Sequence, residues 1–192
     1  MIYFSSDHHF GHLNIIQYCK RPFSSIDEMN EQMTMRWNSV VKQDDVVYYI
    51  GDFSLLLEPV KIVAPKLNGK KILIMGNHDR CHPLMSKKRV EEATPVYRKA
   101  GFTELLLEAT LNIADQKVRL CHFPYASEPD FERYNGGKME KYRPQDNGEW
   151  LLCGHIHEKW KIKNKMINVG VDVWDYLPVP ITTIEKIISD KN

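Results

Sequence analysis

The chain has 192 residues with 26 basic and 25 acidic side chains, a formal net charge of +1, 43% hydrophobic and 27% charged residues. Such a length predicts one compact domain over residues 1–192, and the composition excludes disordered, fibrous and small disulfide-framework classes. Near-neutral charge argues against a strongly basic nucleic-acid binder, and no apolar run is longer than Val46–Ile50, too short to span a membrane.

Ile2–Ser5 is a β-prone run and reads as the first strand. Leu13–Cys19 and Ile26–Val41 carry helical spacing, the second with Ile26, Met29, Met33 and Trp37 on one face; Arg21-Pro22 separates them. Asp45–Ile50 reads as a buried strand, Glu58–Leu67 as a helix stopped by Asn68-Gly69, and Lys71–Met75 as a third strand. His82–Ala100 is helical in composition, with an interruption expected near Pro95. Leu105–Leu107, Thr110–Ala114 and Lys117–Cys121 are strand-like, the last two joined by an Asp115-Gln116 turn. After a polar stretch from Pro124 to Gly148, Glu149–Cys153 and Met166–Val173 are expected strands and Thr182–Ser189 a closing helix. Strands alternating with helices, then a mostly β second half, predict an α/β domain with two sheets.

The opening residues lack a basic region followed by a long apolar run, so no signal peptide is expected. Cys19, Cys81, Cys121 and Cys153 show no C-x-x-C spacing, which points to a reduced, cytoplasmic setting. The eight histidines are less ordinary. They fall in four short stretches: His8, His9 and His12; His78 and His82; His122; His155 and His157. Imidazole is the commonest metal ligand and the group that titrates near neutrality.

These stretches coincide with strand ends. The first strand ends at Asp7-His8-His9, the second at Gly51-Asp52, the third at Gly76-Asn77-His78-Asp79, and later strands at Cys121-His122 and Gly154-His155-Ile156-His157. In α/β sheets ligands bind beyond the carboxyl ends of strands, so five ends bearing N and O donors are suited to converge. In extended backbone residues i and i+2 share a side, so Asp7 with His9, and His155 with His157, are each expected to offer a donor pair to one place. The glycines preceding donors leave room for close backbone approach.

In this order the motifs resemble those of the calcineurin-like metallophosphoesterases: Asp7-x-His9, Gly51-Asp52, Gly76-Asn77-His78-Asp79, His122 and Gly154-x-x-His157. Asn168-Val169-Gly170-Val171-Asp172 is similar to that family's closing strand, and the Asp-His-His-Phe-Gly-His string at residues 7–12 is similar to small bacterial and phage members. The resemblance implies a four-layer α/β/β/α sandwich with two mixed sheets and a two-metal centre at the strand ends. Carried over residue by residue, Asp7, His9 and His157 hold one ion, Asn77, His122 and His155 the other, and Asp52 bridges both. The ions implied are two divalent transition metals, manganese first, with iron, zinc or nickel suiting the same N/O ligands. Two carboxylates against two such ions leave roughly +2, suited to an anionic phosphoryl group.

The mechanism implied is attack by a metal-bridging hydroxide, with His78 as general acid and Asp79 orienting His78 or its loop. His12, Arg21, Arg80 and Tyr125 are candidate substrate contacts, the arginines as phosphate clamps. The Phe123–Trp150 stretch interleaves Tyr125, Phe131, Tyr134 and Tyr142 with Arg133, Lys138, Lys141 and Arg143, a pattern suited to stacking a nucleotide. The bland readings are loop polarity for the donors, a backbone hydrogen bond for His12, core packing for Cys81, Cys121 and Cys153, and a plain surface connection for this stretch; His8 and His82 have no assigned role. Leu55 and Leu56 stand where protein phosphatases carry Asp and Arg, which favours the small phosphodiesterase-like members over the protein phosphatases without identifying a substrate. The partner expected is a small phosphodiester or nucleotide, with nucleic-acid ends as a further class. The alternatives are a phosphomonoesterase with the same centre and a metal-binding interaction scaffold.

Overall fold

The computed structural model describes residues 1–128 and 137–191. Strands β1 (Ile2–Ser5), β2 (Val46–Tyr49), β3 (Lys70–Ile74) and β4 (Phe102–Leu106) pair in parallel in that order. Parallel neighbours need crossover connections. These are supplied by α1 (Leu13–Tyr18) and α2 (Ile26–Val40) after β1, α3 (Leu57–Val63) after β2, and α4 (Lys87–Lys99) after β3. The second sheet has the order β5 (Glu108–Ile113), β6 (Gln116–Cys121), β7 (Trp150–Cys153), β9 (Met166–Asn168), β8 (Ile162–Lys163). In it β6, β7 and β9 run parallel, and β5 and β8 are antiparallel edges. The short β10 (Val179–Pro180) pairs antiparallel with β1 at the edge of the first sheet, and α5 (Ile181–Ser189) follows it. The protein is therefore α/β with two mixed five-stranded sheets.

Side-chain alternation along the strands divides the interior into three regions. On one face of the first sheet Val47, Tyr49, Leu73 and Phe102 pack with Met29, Met33, Trp37, Val60 and Tyr97 of the helices. On its other face Phe4, Ile50 and Ile74 meet Leu120, Leu152 and Ile167 of the second sheet, together with Ile184 and Ile188 of α5. The outer face of the second sheet presents Cys121, Leu151, Cys153 and Met166, covered among the described residues by Phe123, Tyr125, Met139 and Ile156. The predicted helical face of α2 is the buried one, although Ile26 itself is half-buried.

Three expectations are corrected. Helix α4 runs unbroken through Pro95 and starts only at Lys87. Pro95 and Glu91 are solvent-exposed, so the carbonyl that loses its partner faces water, while Ala93 and Tyr97 anchor the buried side. The expected strand Met166–Val173 stops at Asn168, and Val171–Val173 forms a 3₁₀ turn. The two-residue strands β8 and β10 are too short to carry any periodic signal in sequence.

Candidate metal centre

The parallel strands place their carboxyl ends so that the donor-bearing loops meet. The ligand atoms of Asp7, His9 and His157 lie within 4.8 Å of one another, and so do those of Asp52, His122 and His155. Asp52 joins the two groups: its Oδ2 is 3.5 Å from His9 Nε2 and 3.3 Å from His122 Nε2. Asn77 Oδ1 and His155 Nδ1 each stand 3.2 Å from His122 Nε2. All seven residues expected as metal ligands are thus brought together. Phe131, Arg133 and Tyr134 of the expected substrate-facing stretch lie outside the described residues.

The backbone that accomplishes this is not the extended chain expected from i, i+2 spacing. Asp7, His9, Asp52, His155 and His157 all have positive φ, between +50° and +70°. Such conformations cost on the order of 1–3 kcal/mol each and persist where surrounding structure over-determines them. Here Asp7 N–H donates to Gly51 O at 3.0 Å, His9 N–H to Asp52 O at 3.1 Å, and His155 N–H to the Asp7 carboxylate at 2.9 Å. Asp7 and His9 do join one group, but through left-handed turns. His155 and His157 separate into different groups, as the resemblance implied, so the single donor pair expected from i, i+2 spacing is corrected. A side chain at Gly76 would collide with Asp52 Oδ1, and one at Gly154 with Asp7 Oδ2, so both carboxylates sit against bare backbone.

Asp7, His9, Asp52 and His122 are each at most 2% exposed, while His155 and His157 are half-buried on the cavity side. Burial pushes the Asp52 carboxyl up, but His122, His78 and His9 outweigh it and hold Asp52 well below the usual carboxylate range. Burial likewise lowers His122, yet the Asp52 charge prevails and raises it to about 9. Burial keeps His9 and His155 well below the usual imidazole range, hence neutral. Among the described residues both ring nitrogens of His9 are buried without a hydrogen-bond partner, although such groups are normally satisfied. Neutral imidazoles and an ionised carboxylate converging around orphaned ring nitrogens fit divalent transition metals. Proton and metal compete for the His122 lone pair, so binding releases protons.

A cavity of about 680 Å³ opens over the centre, its wall including His9, His12, Tyr18, His78, His157 and Lys159. His78 is half-buried, and its backbone N–H donates to Asp52 Oδ1 at 2.9 Å. Asp79 is away from this wall and fully buried. Its carboxylate accepts from Asp52 N–H and Phe53 N–H at 3.0 Å, Gly76 N–H at 2.8 Å and Tyr97 O–H at 3.1 Å. It therefore organises the two loops rather than touching the cavity, and burial raises its carboxyl to about 7. Of the proposed substrate contacts only His12 lines the cavity. Arg21 is buried and spends its guanidinium on Asp172 and two backbone carbonyls. Arg80 Nε donates to Leu55 O at 2.6 Å. Tyr125 donates to Glu149 O at 2.9 Å and packs under the second sheet.

Sequence reasoning missed Asp172, whose Oδ2 lies 3.0 Å from His157 Nδ1. Its only signal was membership of the Asn168–Asp172 segment.

His8 and His82, without a role in sequence, are core residues. His8 stacks on Phe10 with its Nδ1 2.8 Å from Tyr49 Oη; His82 Nδ1 accepts from Leu84 N–H at 3.0 Å and meets Tyr142 edge-on. Burial lowers His82 to about 4. Because the unfolded chain takes up this proton from about pH 6.5 downward and the native state does not, stability is lost as pH falls from there toward 4. Relative to a His82→Leu variant, the wild type is expected to lose about 3 kcal/mol more between pH 7 and 4. Urea unfolding at the two pH values measures it; an equal loss in both proteins excludes the effect.

No protein-family profile matches the chain. An uncharacterized protein of Methanocaldococcus jannaschii is 34% identical over 198 aligned positions, covering 98% of this chain and 91% of its own length. The chain belongs to the family of that archaeal protein. The gene 66 proteins of Mycobacterium phages L5 and D29 are each 29% identical, covering 91% and 98% of this chain and 88% and 96% of theirs. A crystal structure of an Aquifex aeolicus protein of unknown function superposes with a TM-score of 0.70 at 28% identity, covering 97% of this chain and 98% of that one, and shares this fold. An archaeal phosphodiesterase structure gives a TM-score of 0.40 at 16% identity, covering 88% of this chain and 81% of that one, a likeness too distant to bear on activity.

Proposed function

We propose that this family member is a metal-dependent phosphoester hydrolase of the calcineurin-like type, preferring phosphodiesters. The observation that carries the reading is Asp52: one carboxylate oxygen stands within 3.5 Å of a histidine from each of two donor groups. Asp7, His9 and His157 on one side and Asp52, His122, His155 and Asn77 on the other would hold a pair of divalent ions, manganese first and iron, zinc or nickel with the same donors, which would supply electrophilic charge and lower the pKa of a nucleophile. The chain's own residues do the rest. Asp52 ties the groups together, and neutral His9 and His155 offer lone pairs. His78 faces the cavity with its main chain tied to Asp52, close to the centre without belonging to either group. It is assigned as proton donor to the leaving oxygen.

The cavity volume of about 680 Å³ suits a small phosphodiester or a nucleotide, and its open side would admit a nucleic-acid end. The four-layer arrangement belongs to the same reading, with the segment over the outer face of the second sheet as the fourth layer. A reducing, cytoplasmic setting accords with four cysteines that form no disulfide. Among the described residues no helix is long and apolar enough to cross a membrane.

The test is turnover of an aryl phosphodiester and the matching monoester by protein reconstituted with Mn, Fe, Zn or Ni. Preferential cleavage of the diester is expected. Cleavage of the monoester alone would make the protein a phosphomonoesterase. Two bound ions with turnover of neither would make it a metal-stabilised interaction scaffold.

A further inference from the structure

Arg21 and Asp172 are 151 residues apart in sequence, yet both side chains are at most 1% exposed and face each other. Arg21 Nε donates to Asp172 Oδ1 at 2.7 Å and Nη2 to Oδ2 at 3.0 Å, a two-pronged pair of the kind only a planar guanidinium makes. The same Nη2 donates to Asp7 O at 2.7 Å, and Nη1 to His8 O at 2.7 Å. Asp172 Oδ2 in turn lies 3.0 Å from His157 Nδ1. A carboxylate already forked by a guanidinium is an acceptor, so at 3.0 Å it accepts and His157 Nδ1–H donates. That fixes the tautomer in which His157 Nε2 carries the free lone pair.

We propose that Arg21 and Asp172 are a positioning pair for the Asp7, His9 and His157 donor group, acting on His157 through its tautomer and on Asp7 through its main-chain carbonyl. The assignment rests on the metal-centre reading. The pair is internally neutral, so it orients one donor group without adding net charge to the centre. It also explains why Arg21, one of the two arginines expected to clamp a phosphate, faces inward: its donors are used to hold Asp7 at φ +59°. Through Asp7, His8 and His157 the pair bears on the side of the first group.

The experiment is Mn²⁺ and Zn²⁺ titration of the full chain by calorimetry with elemental analysis, on wild type, Asp172→Asn and Arg21→Lys. An asparagine amide at the Oδ2 position would donate to His157 Nδ1 and force the proton onto Nε2, the wrong tautomer for a ligand. In Asp172→Asn one ion is expected to bind 10–100-fold more weakly with the other unchanged. Arg21→Lys, which keeps the charge and loses the fork, is expected to weaken the same ion. Unchanged binding of both ions, or equal loss of both, would overturn the assignment.

A second readout needs no metal. Imidazole ¹⁵N shifts of the metal-free wild type are expected to report His157 protonated at Nδ1, and finding it protonated at Nε2 would overturn the pair's role even if the variants fail to fold. A wild type that binds no ion would instead overturn the metal-centre reading, with the ¹⁵N shifts still reporting on the pair.

Discussion

Asp52→Asn is expected to abolish retention of both ions together, and not of one. The substitution preserves shape and removes a charge that is 1% exposed and shared by the two donor groups. Oδ2 serves His9 and His122, while Oδ1 accepts the His78 N–H that holds the third-strand loop in place. Losing one partner of a buried charge pair costs roughly 3–5 kcal/mol, or at least ~100-fold in affinity for each ion. His122 also loses the carboxylate that raises it to about 9, so its proton affinity falls along with its metal affinity. Elemental analysis after dialysis, together with melting in the presence and absence of metal, measures the effect: wild type should be stabilised by metal and the variant should not. Two ions retained at normal occupancy would remove Asp52 from its bridging role.

His78→Ala is the second large effect, with the opposite signature. The ring belongs to neither donor group, and the contact from residue 78 to Asp52 comes from main-chain N–H, which alanine keeps. Both ions are therefore expected to stay while turnover falls by ~10²–10⁴, the usual contribution of a positioned proton donor. A general acid matters most when the leaving oxygen is a poor one. The loss should be large for an alkyl ester and small for an activated aryl ester, and an equal loss for both would argue against proton donation. Loss of metal in this variant would make His78 a ligand.

The two predictions depend on different levels of information. That donors follow strands could be read locally: apolar runs end, and Asp7, His9, Asp52, Asn77, His122, His155 and His157 stand at those ends in order. Alternation along β2, with Val47 and Tyr49 to one side and Tyr48 and Ile50 to the other, is a property of neighbouring residues, as is the helical spacing of Met29, Met33 and Trp37. Parallel pairing then carries the first three strand ends to one edge of the sheet.

The fate of individual side chains was not legible in that way. Arg21 resembles a solvent-facing phosphate clamp in sequence and is a buried pin in the fold, because its partner lies 151 residues away. Asp79 and Tyr125 follow the same pattern: each is satisfied by backbone groups brought in by another segment. The sequence by itself determined the order of elements, the donor set and the strand ends that bear it, because these follow from short-range periodicity and residue chemistry. The resemblance already implied how the donors divide, and only the tertiary structure decided the backbone that holds them there. Left-handed turns at Asp7, His9, Asp52, His155 and His157 are stabilised by hydrogen bonds between distant loops, and no local spacing encodes those bonds.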